Sequence, residues 1–292
     1  QIGSAFVLQI FRSLLPKKFR NDGPVIPVVR LQGPIGMATP LRPGLSLATV
    51  ALPLQRAFSV KKAPAVALIV NSPGGSPVQS RLIFQRIRNR AKGHDKRVLV
   101  CVGAVAASGG YMIALAGDEI IADPCSIVGS IGVVAAGFGF PDLLSKIGVE
   151  RRVYTAGEKK VILDPFQEEN VEDIEYLKGL QQEIHEIFIE MVRKSRGDVL
   201  ADDPEIFSGK FWTGHSARDL GLIDAIGDLR GTLKARYGKD AEPKLFSAPR
   251  GLFGRRSSVS GVAASSGSLV DGLGKDLISA AEERSLWSRF GL

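Results

Sequence analysis

The chain has 292 residues, is 45% hydrophobic and 23% charged, and carries a formal net charge of +8. Those values fit one large globular domain or two small ones and exclude a disordered or collagen-like chain. Two cysteines are too few for a disulfide framework, three scattered histidines lack metal-ligand spacing, and no apolar run reaches the roughly 18 residues that span a bilayer.

Residues 1–23 read as a basic amphipathic arm. Arg12, Lys17, Lys18 and Arg20 are its charges, and Phe6, Ile10, Phe11, Leu14 and Leu15 its apolar side. Such a segment suits peripheral contact with an anionic membrane, or else is a disordered or partner-packed leader. Aromatics are 7% of the chain and no nucleic-acid-binding motif occurs, so nucleic acid is not an expected partner. The expected location is cytoplasmic or peripheral on the inner membrane, with no transmembrane span in this chain.

Residues 24–248 are expected to form the main domain. Val25 to Leu31 reads as a strand and Gly33 to Gly44 as a loop. Ser46 then caps a helix with Leu47, Val50, Leu54, Ala57 and Phe58 at helical spacing. Ala65 to Val70 is apolar throughout, as in a parallel sheet covered on both faces. The turn NSPGGSP follows, and Pro77 opens a helix to about Arg90. Val98 to Val102 is the next strand, ended by Gly103. A helix is expected from Ser108 to Ala116, with strands at Glu119 to Ala122 and Ile131 to Ala135. This alternation predicts an α/β fold with right-handed crossovers.

Further on, Phe140 to Ile147 reads as a short helix, Val149 to Tyr154 as an edge strand, and Thr155 to Phe166 as a loop holding Lys159 and Lys160. A long amphipathic helix is expected from Glu168 to Arg196, with its acids gathered at the end the dipole favours. Trp212 to Asp224 reads as a Thr213-capped helix, a Gly221 stop and a short strand. Residues 249–268 are a Gly-, Ser- and Ala-rich linker, and 269–292 a second amphipathic helix that either docks on a partner or membrane or frays.

Two glycine-bearing turns thus follow successive buried strands, at Asn71 to Gly75 and Gly103 to Gly110. Sites in open α/β sheets form outside the carboxyl ends of strands. The first turn offers unshielded backbone N–H groups and the second one hydroxyl, Ser108: an oxyanion hole and a nucleophile for acyl transfer. Each also has a plainer reading, as a phosphate nest or tight turn and as a helix cap. A nucleophilic serine needs a base. Nothing favours His94, His185 or His215, which read as surface residues. A lysine serves when burial lowers its pKa, and Lys159 and Lys160 stand beside Val161, Ile162 and Leu163.

Five segments occur in order: NSPGG (Asn71 to Gly75), AASGGYMIA (Ala106 to Ala114), SIVGSIGV (Ser126 to Val133), TAGEKK with DPF (Thr155 to Phe166), and TGHSARDLGLID (Thr213 to Asp224). Together they resemble the signal peptide peptidase A (protease IV) family of serine peptidases, over Pro24 to Tyr237. The resemblance implies Clp-protease/crotonase-like parallel sheets with flanking helices. It implies Ser108 as nucleophile of a Ser/Lys dyad, with Lys160, at the family's spacing after it, as base. Ser130 would orient that lysine, and the N–H groups of Gly109 and Gly75, or Gly74, would form the oxyanion hole. Val161 and Asp164 stand where the family usually has Asp and Ser. No cofactor is implied. The substrates would be peptides, such as signal-peptide remnants or unfolded and membrane-associated segments. The assembly would be a homo-oligomeric ring in which the dyad can join neighbouring subunits. A crotonase-type acyl-CoA enzyme and a non-catalytic membrane-associated scaffold are the alternatives. Ser108 in its ASGG setting and the Lys160 loop favour the peptidase.

Overall fold

The computed structural model describes residues 23–37, 44–247, 281 and 283–292. The expected linker, the arm up to residue 22, and residues 269–280 and 282 lie outside the described residues. Among the described residues no helix is long and apolar enough to cross a membrane.

Eight strands form one sheet: β1 (Val25–Gln32), β2 (Ala65–Ser72), β3 (Arg97–Ala107), β4 (Glu119–Ala122), β5 (Ile127–Gly129), β6 (Phe211–Thr213), β7 (Ala225–Ile226) and β8 (Glu242–Leu245). The order is β6-β5-β3-β2-β1-β8, with β4 beside β3 and β7 beside β4. Every pairing is parallel except β5 with β6. The helices are α1 (Leu47–Phe58), α2 (Pro77–His94), α3 (Gly109–Ala114), α4 (Pro141–Lys146), α5 (Val171–Arg196), α6 (Gly214–Asp219) and α7 (Leu229–Tyr237). The parallel α/β expectation therefore holds.

The sheet is sandwiched unevenly. On one face α1, α2, α3 and the end of α5 bury Leu54, Phe58, Ile83, Ile87, Tyr111 and Phe188 against Leu68, Val70 and Val100. On the other, α7 sets Leu233 against Ile26, Val28, Ala67 and Leu99. Burial on both faces is why β2 carries no polar alternation. α1 starts where expected, because Ser46 and Thr49 form a reciprocal capping box. α2 runs past Arg90 to His94 and stops at Asp95, whose φ of 49° is left-handed.

β3 does not end at Gly103. It bends there and continues to Ala107, its first part pairing with β4 and its last part with β5. The register against β2 shifts between Val70 and Ser72. Side chains satisfy the backbone groups released by that bulge: Val105 N–H donates to Asn71 Oδ1 at 3.1 Å, and Ser126 Oγ donates to Gly103 O at 2.6 Å.

Other expectations are corrected. The strand expected at Ile131–Ala135 is Ile127–Gly129, since those are the residues that reach β3. Val149–Tyr154 is not a strand: Arg151 pairs with Asp164 and Arg152 with Glu150, in a segment with no strand neighbour among the described residues. α5 begins at Val171, because the Asn170 side chain accepts from Glu172 N–H at 2.8 Å, so Glu168 and Glu169 precede the helix. The strand after Gly221 is Ala225–Ile226. It starts beyond Asp224 because the Asp224 carboxylate accepts from Ile120 N–H at 2.7 Å and from Arg196.

Arg196 ties the end of α5 to the sheet. Its Nε donates to Gly221 O at 2.7 Å, and Nη1 and Nη2 reach Asp224 at 3.1 and 2.8 Å. Arg196 is buried, whereas the Asp224 side chain is 33% exposed. Breaking this pair therefore belongs at the low end of the range for buried ion pairs. Arg196→Ala is expected to cost about 3 kcal/mol, read as a lower urea midpoint at unchanged m-value.

Candidate active site

The two glycine-bearing turns lie side by side at the carboxyl ends of β2 and β3. Ser108 stands between β3 and α3 with φ 53° and ψ −123°, outside the left-handed helical well. Such a backbone costs about 1–3 kcal/mol for a residue other than glycine. It is held from both sides: Ser108 N–H donates to Gly129 O at 2.8 Å, and Met112 N–H donates to Ser108 O at 3.0 Å. Behind it Tyr111, fully buried, donates from its hydroxyl to Leu222 O at 2.7 Å. Burial pushes the Tyr111 phenol well up, so it remains a donor. The Ser108 side chain makes no capping hydrogen bond. The helix-cap reading therefore fails, and the hydroxyl is left at a strained strand-to-helix turn.

Gly74 packs directly on this serine. Its φ is +108°, and a Cβ there would lie 2.8 Å from Ser108 Cβ and 3.0 Å from Ala107 O. Only glycine lets the first turn pass this close to the second. Gly74 N–H is taken by Ser72 Oγ at 3.2 Å, and Gly74 O accepts from Ile35 N–H at 2.8 Å. Gly75 is exposed, and among the described residues its N–H has no acceptor. Gly109 opens α3, so its N–H is left over by the helix ladder. Of the two glycines weighed for the first turn, Gly75 thus has the N–H that remains available. Gly74→Ala is expected to push Ser108 aside and lower kcat about 100-fold, with a smaller change in KM, as steady-state kinetics would show.

Ser130 is brought to the same corner. Gly129, whose carbonyl holds Ser108, is its neighbour, and Trp212 of β6 packs so close that a Cβ on Gly129 would lie 2.7 Å from its ring. Ser130 is 7% exposed and has φ 53°. Its N–H donates to Lys210 O at 2.6 Å, and its O accepts from Gly132 N–H at 3.0 Å. Among the described residues its hydroxyl has no hydrogen-bond partner. His185 of α5 is half-buried, and its Nε2 donates to Ile131 O at 3.0 Å, fixing the segment that follows Ser130. The expectation that His185 is a surface residue is corrected here. The contact joins residues 54 positions apart, and nothing local announces it.

The two lysines part company. Lys159 Nζ pairs with Glu172 at 3.2 Å and Asp173 at 3.5 Å on the first turn of α5. The hydrogen bond it donates to Glu172 raises its pKa, the wrong direction for a base. Lys160 is exposed, its N–H donates to Gly157 O at 3.2 Å, and its side chain has no partner among the described residues. Within one chain the loop does not bring Lys160 into contact with Ser108 or Ser130. The loop has a defined shape nonetheless. Leu163 has φ 56°, Asp164 pairs with Arg151 at 2.6 Å, and the Phe166 ring lies 5.6 Å from Phe140.

The sequence pattern of peptidase family S49 matches residues 90–240, just over half of the chain. The chain is 57% identical over 289 residues to a protein of Brucella abortus named Na(+)/H(+) antiporter NhaA, covering 97% of this chain and 39% of that protein. Protease 4 of Haemophilus influenzae is 35% identical over 187 residues, 62% of this chain and 29% of that one. Serine protease SPPA, chloroplastic, of Arabidopsis thaliana is 34% identical over 170 residues, 58% and 25% respectively. The chain thus spans about two fifths or less of the length of these relatives. A solved ClpP1 mutant from Listeria monocytogenes aligns with a TM-score of 0.42 and 15% identity, over 70% of this chain and 92% of that one. The S49 match runs from the end of α2 almost to β8 and takes in Ser108, Ser130, the lysine loop and the Thr213 turn: the chain belongs to peptidase family S49.

Proposed function

We propose that the chain is a cofactor-free serine endopeptidase with a Ser108/Lys160 dyad, completed between neighbouring subunits of a homo-oligomeric ring. The observation that carries the reading is the strained, uncapped Ser108 beside the open N–H groups of Gly109 and Gly75. In this mechanism Ser108 Oγ attacks the scissile carbonyl while neutral Lys160 Nζ takes its proton. The carbonyl oxygen becomes an oxyanion held by the two N–H groups. Lys160 returns the proton to the departing amine, leaving an acyl-serine that water hydrolyses by the same proton route. Ser130, whose hydroxyl has no partner among the described residues and which stands one residue from the Ser108 anchor, orients the lysine.

The neighbouring subunit enters because a single chain leaves Lys160 apart from Ser108. The segment that carries the lysine is also rich in exposed apolar side chains, among them Val134, Phe138, Tyr154, Val171, Leu180 and Ile187. Only Phe188, Val192 and Arg196 of α5 are buried, so most of its apolar stripe awaits a cover. Substrates of this reading are peptides: signal-peptide remnants and unfolded or membrane-associated segments. Membership of the S49 family favours it over an acyl-CoA enzyme. The antiporter name belongs to proteins of which this chain matches 39%, and no feature of the site favours ion transport.

Subunit mixing tests the shared site. Ser108→Ala and Lys160→Ala chains, each inactive alone, are expected to recover about one quarter of wild-type activity when reassembled at random in equal amounts, because a head-to-tail contact pairs an intact serine with an intact lysine at that frequency. No recovery in a verified mixed oligomer would contradict a dyad shared between chains.

A further inference from the structure

From Gly23 to His94 the chain has ten Lys and Arg residues and neither Asp nor Glu. The fold gathers several of these charges away from Ser108. Arg86, Arg90 and His94 follow one another along one side of α2 and, with Leu47, Leu82 and Asn89, line a groove of about 560 Å³. The His94 ring stacks on Phe58 at the end of α1, with centroids 6.4 Å apart. Lys61 and Lys62 follow in the loop before β2, exposed, and Lys96 Nζ donates to Val60 O to hold that loop in place. Buried Ile83, Ile87 and Ala91 fix which side of α2 faces outward. Among the described residues Arg86, Arg90, Lys61 and Lys62 have no carboxylate within ion-pair distance. Arg88 does, pairing with Asp118, and Asp95 borders the groove at the end of α2.

Lys61, Lys62 and His94 sit at the amino ends of the parallel strands, with Arg90 one helical turn before His94 and Arg86 midway along α2. Lys61 and Lys62 precede β2, and His94 precedes β3. Gly23, just before β1, lies on the same rim against Asp240. Unpaired cations held together repel one another and suit an extended anionic surface. No Phe, Tyr or Trp lines the groove, and Phe58 is fully buried, so it lacks the stacking platforms that single-stranded nucleic acid uses. We propose that this rim docks on an anionic phospholipid surface. Ser108 stands at the far end of β3, an 11-residue strand that spans roughly 35 Å. Docking therefore turns the catalytic edge away from the bilayer, toward the unfolded segments and released signal-peptide remnants among the proposed substrates. That last clause rests on the Ser108 reading; the docking itself does not.

The test is sedimentation of the full chain with vesicles of phosphatidylcholine, with and without phosphatidylglycerol. The wild type is expected to bind only vesicles containing phosphatidylglycerol, and less as salt rises. Combining Lys61→Glu, Lys62→Glu, Arg86→Glu and Arg90→Glu is expected to weaken binding at least roughly 100-fold at low salt. Should that variant fail to fold, Lys61→Gln with Arg90→Gln is expected to give a loss of roughly 10-fold. Wild-type failure to bind phosphatidylglycerol, equal binding to phosphatidylcholine alone, or undiminished binding by the folded variants would overturn the proposal. So would a single-stranded oligonucleotide that binds more tightly than the vesicles and loses its affinity through the same substitutions. Peptide hydrolysis is expected to be unchanged when vesicles are added. Inhibition would overturn the orientation, whereas a wild type that binds vesicles but never cleaves peptides would sink the peptidase reading alone.

Discussion

Ser108→Ala is expected to lower kcat at least roughly ten-thousand-fold while thermal and denaturant unfolding stay within about 1 kcal/mol of wild type. The small stability effect follows from the local structure. The Ser108 hydroxyl makes no capping bond, and the bonds that fix the turn come from its N–H and carbonyl, which alanine keeps. Alanine bears the same backbone strain as serine. The large kinetic effect follows from the proposed mechanism, in which Oγ is the atom that bonds to the substrate carbonyl. Circular dichroism and steady-state hydrolysis of a peptide library check both halves. Wild-type cleavage by the variant would remove Ser108 from the chemistry.

The lysine pair gives the second large effect. Lys160→Ala is expected to be inactive to within about a thousandth of wild type, and Lys159→Ala to stay within about threefold. Lys160→Arg is expected to be inactive as well, because a guanidinium does not give up its proton in the working range. The contrast rests on what each residue touches. Hydrogen bonding to Glu172 raises the Lys159 pKa and keeps it charged. Lys160 has no carboxylate partner among the described residues, as the proposed role of base in a neighbour's site requires. A base must be neutral to accept a proton, so the wild-type rate is expected to rise with pH into the alkaline range. An inactive Lys159→Ala beside an active Lys160→Ala would move the base by one residue.

Much of this site was legible in the chain. All-apolar strands followed by NSPGG and ASGG can only bury the strands and leave the turns at one edge, and that is where Ser108, Gly74, Gly75 and Gly109 are found. What stayed hidden depends on partners distant in sequence. β3 passes Gly103 because an Asn71 side chain from β2 takes up a backbone donor, which no local pattern encodes. α7 and β8 escaped notice because they bury little: Leu233 alone in α7, and no fully buried residue in β8, which carries Pro243 at the sheet edge. His185 reads as one more polar residue on an amphipathic helix until Ile131 O is placed against it. Within one chain Lys160 makes no contact with Ser108, so the monomer fold does not bring the two together.

The most direct measurement of the account is covalent labelling with a fluorophosphonate probe, followed by mapping of the modified peptide. The account predicts label on Ser108 of the assembled wild type, none on Ser108→Ala, and strongly slowed labelling of Lys160→Ala that recovers when Lys160 is supplied by mixed subunits. Label on another residue, or wild-type labelling of Ser108→Ala, would contradict it.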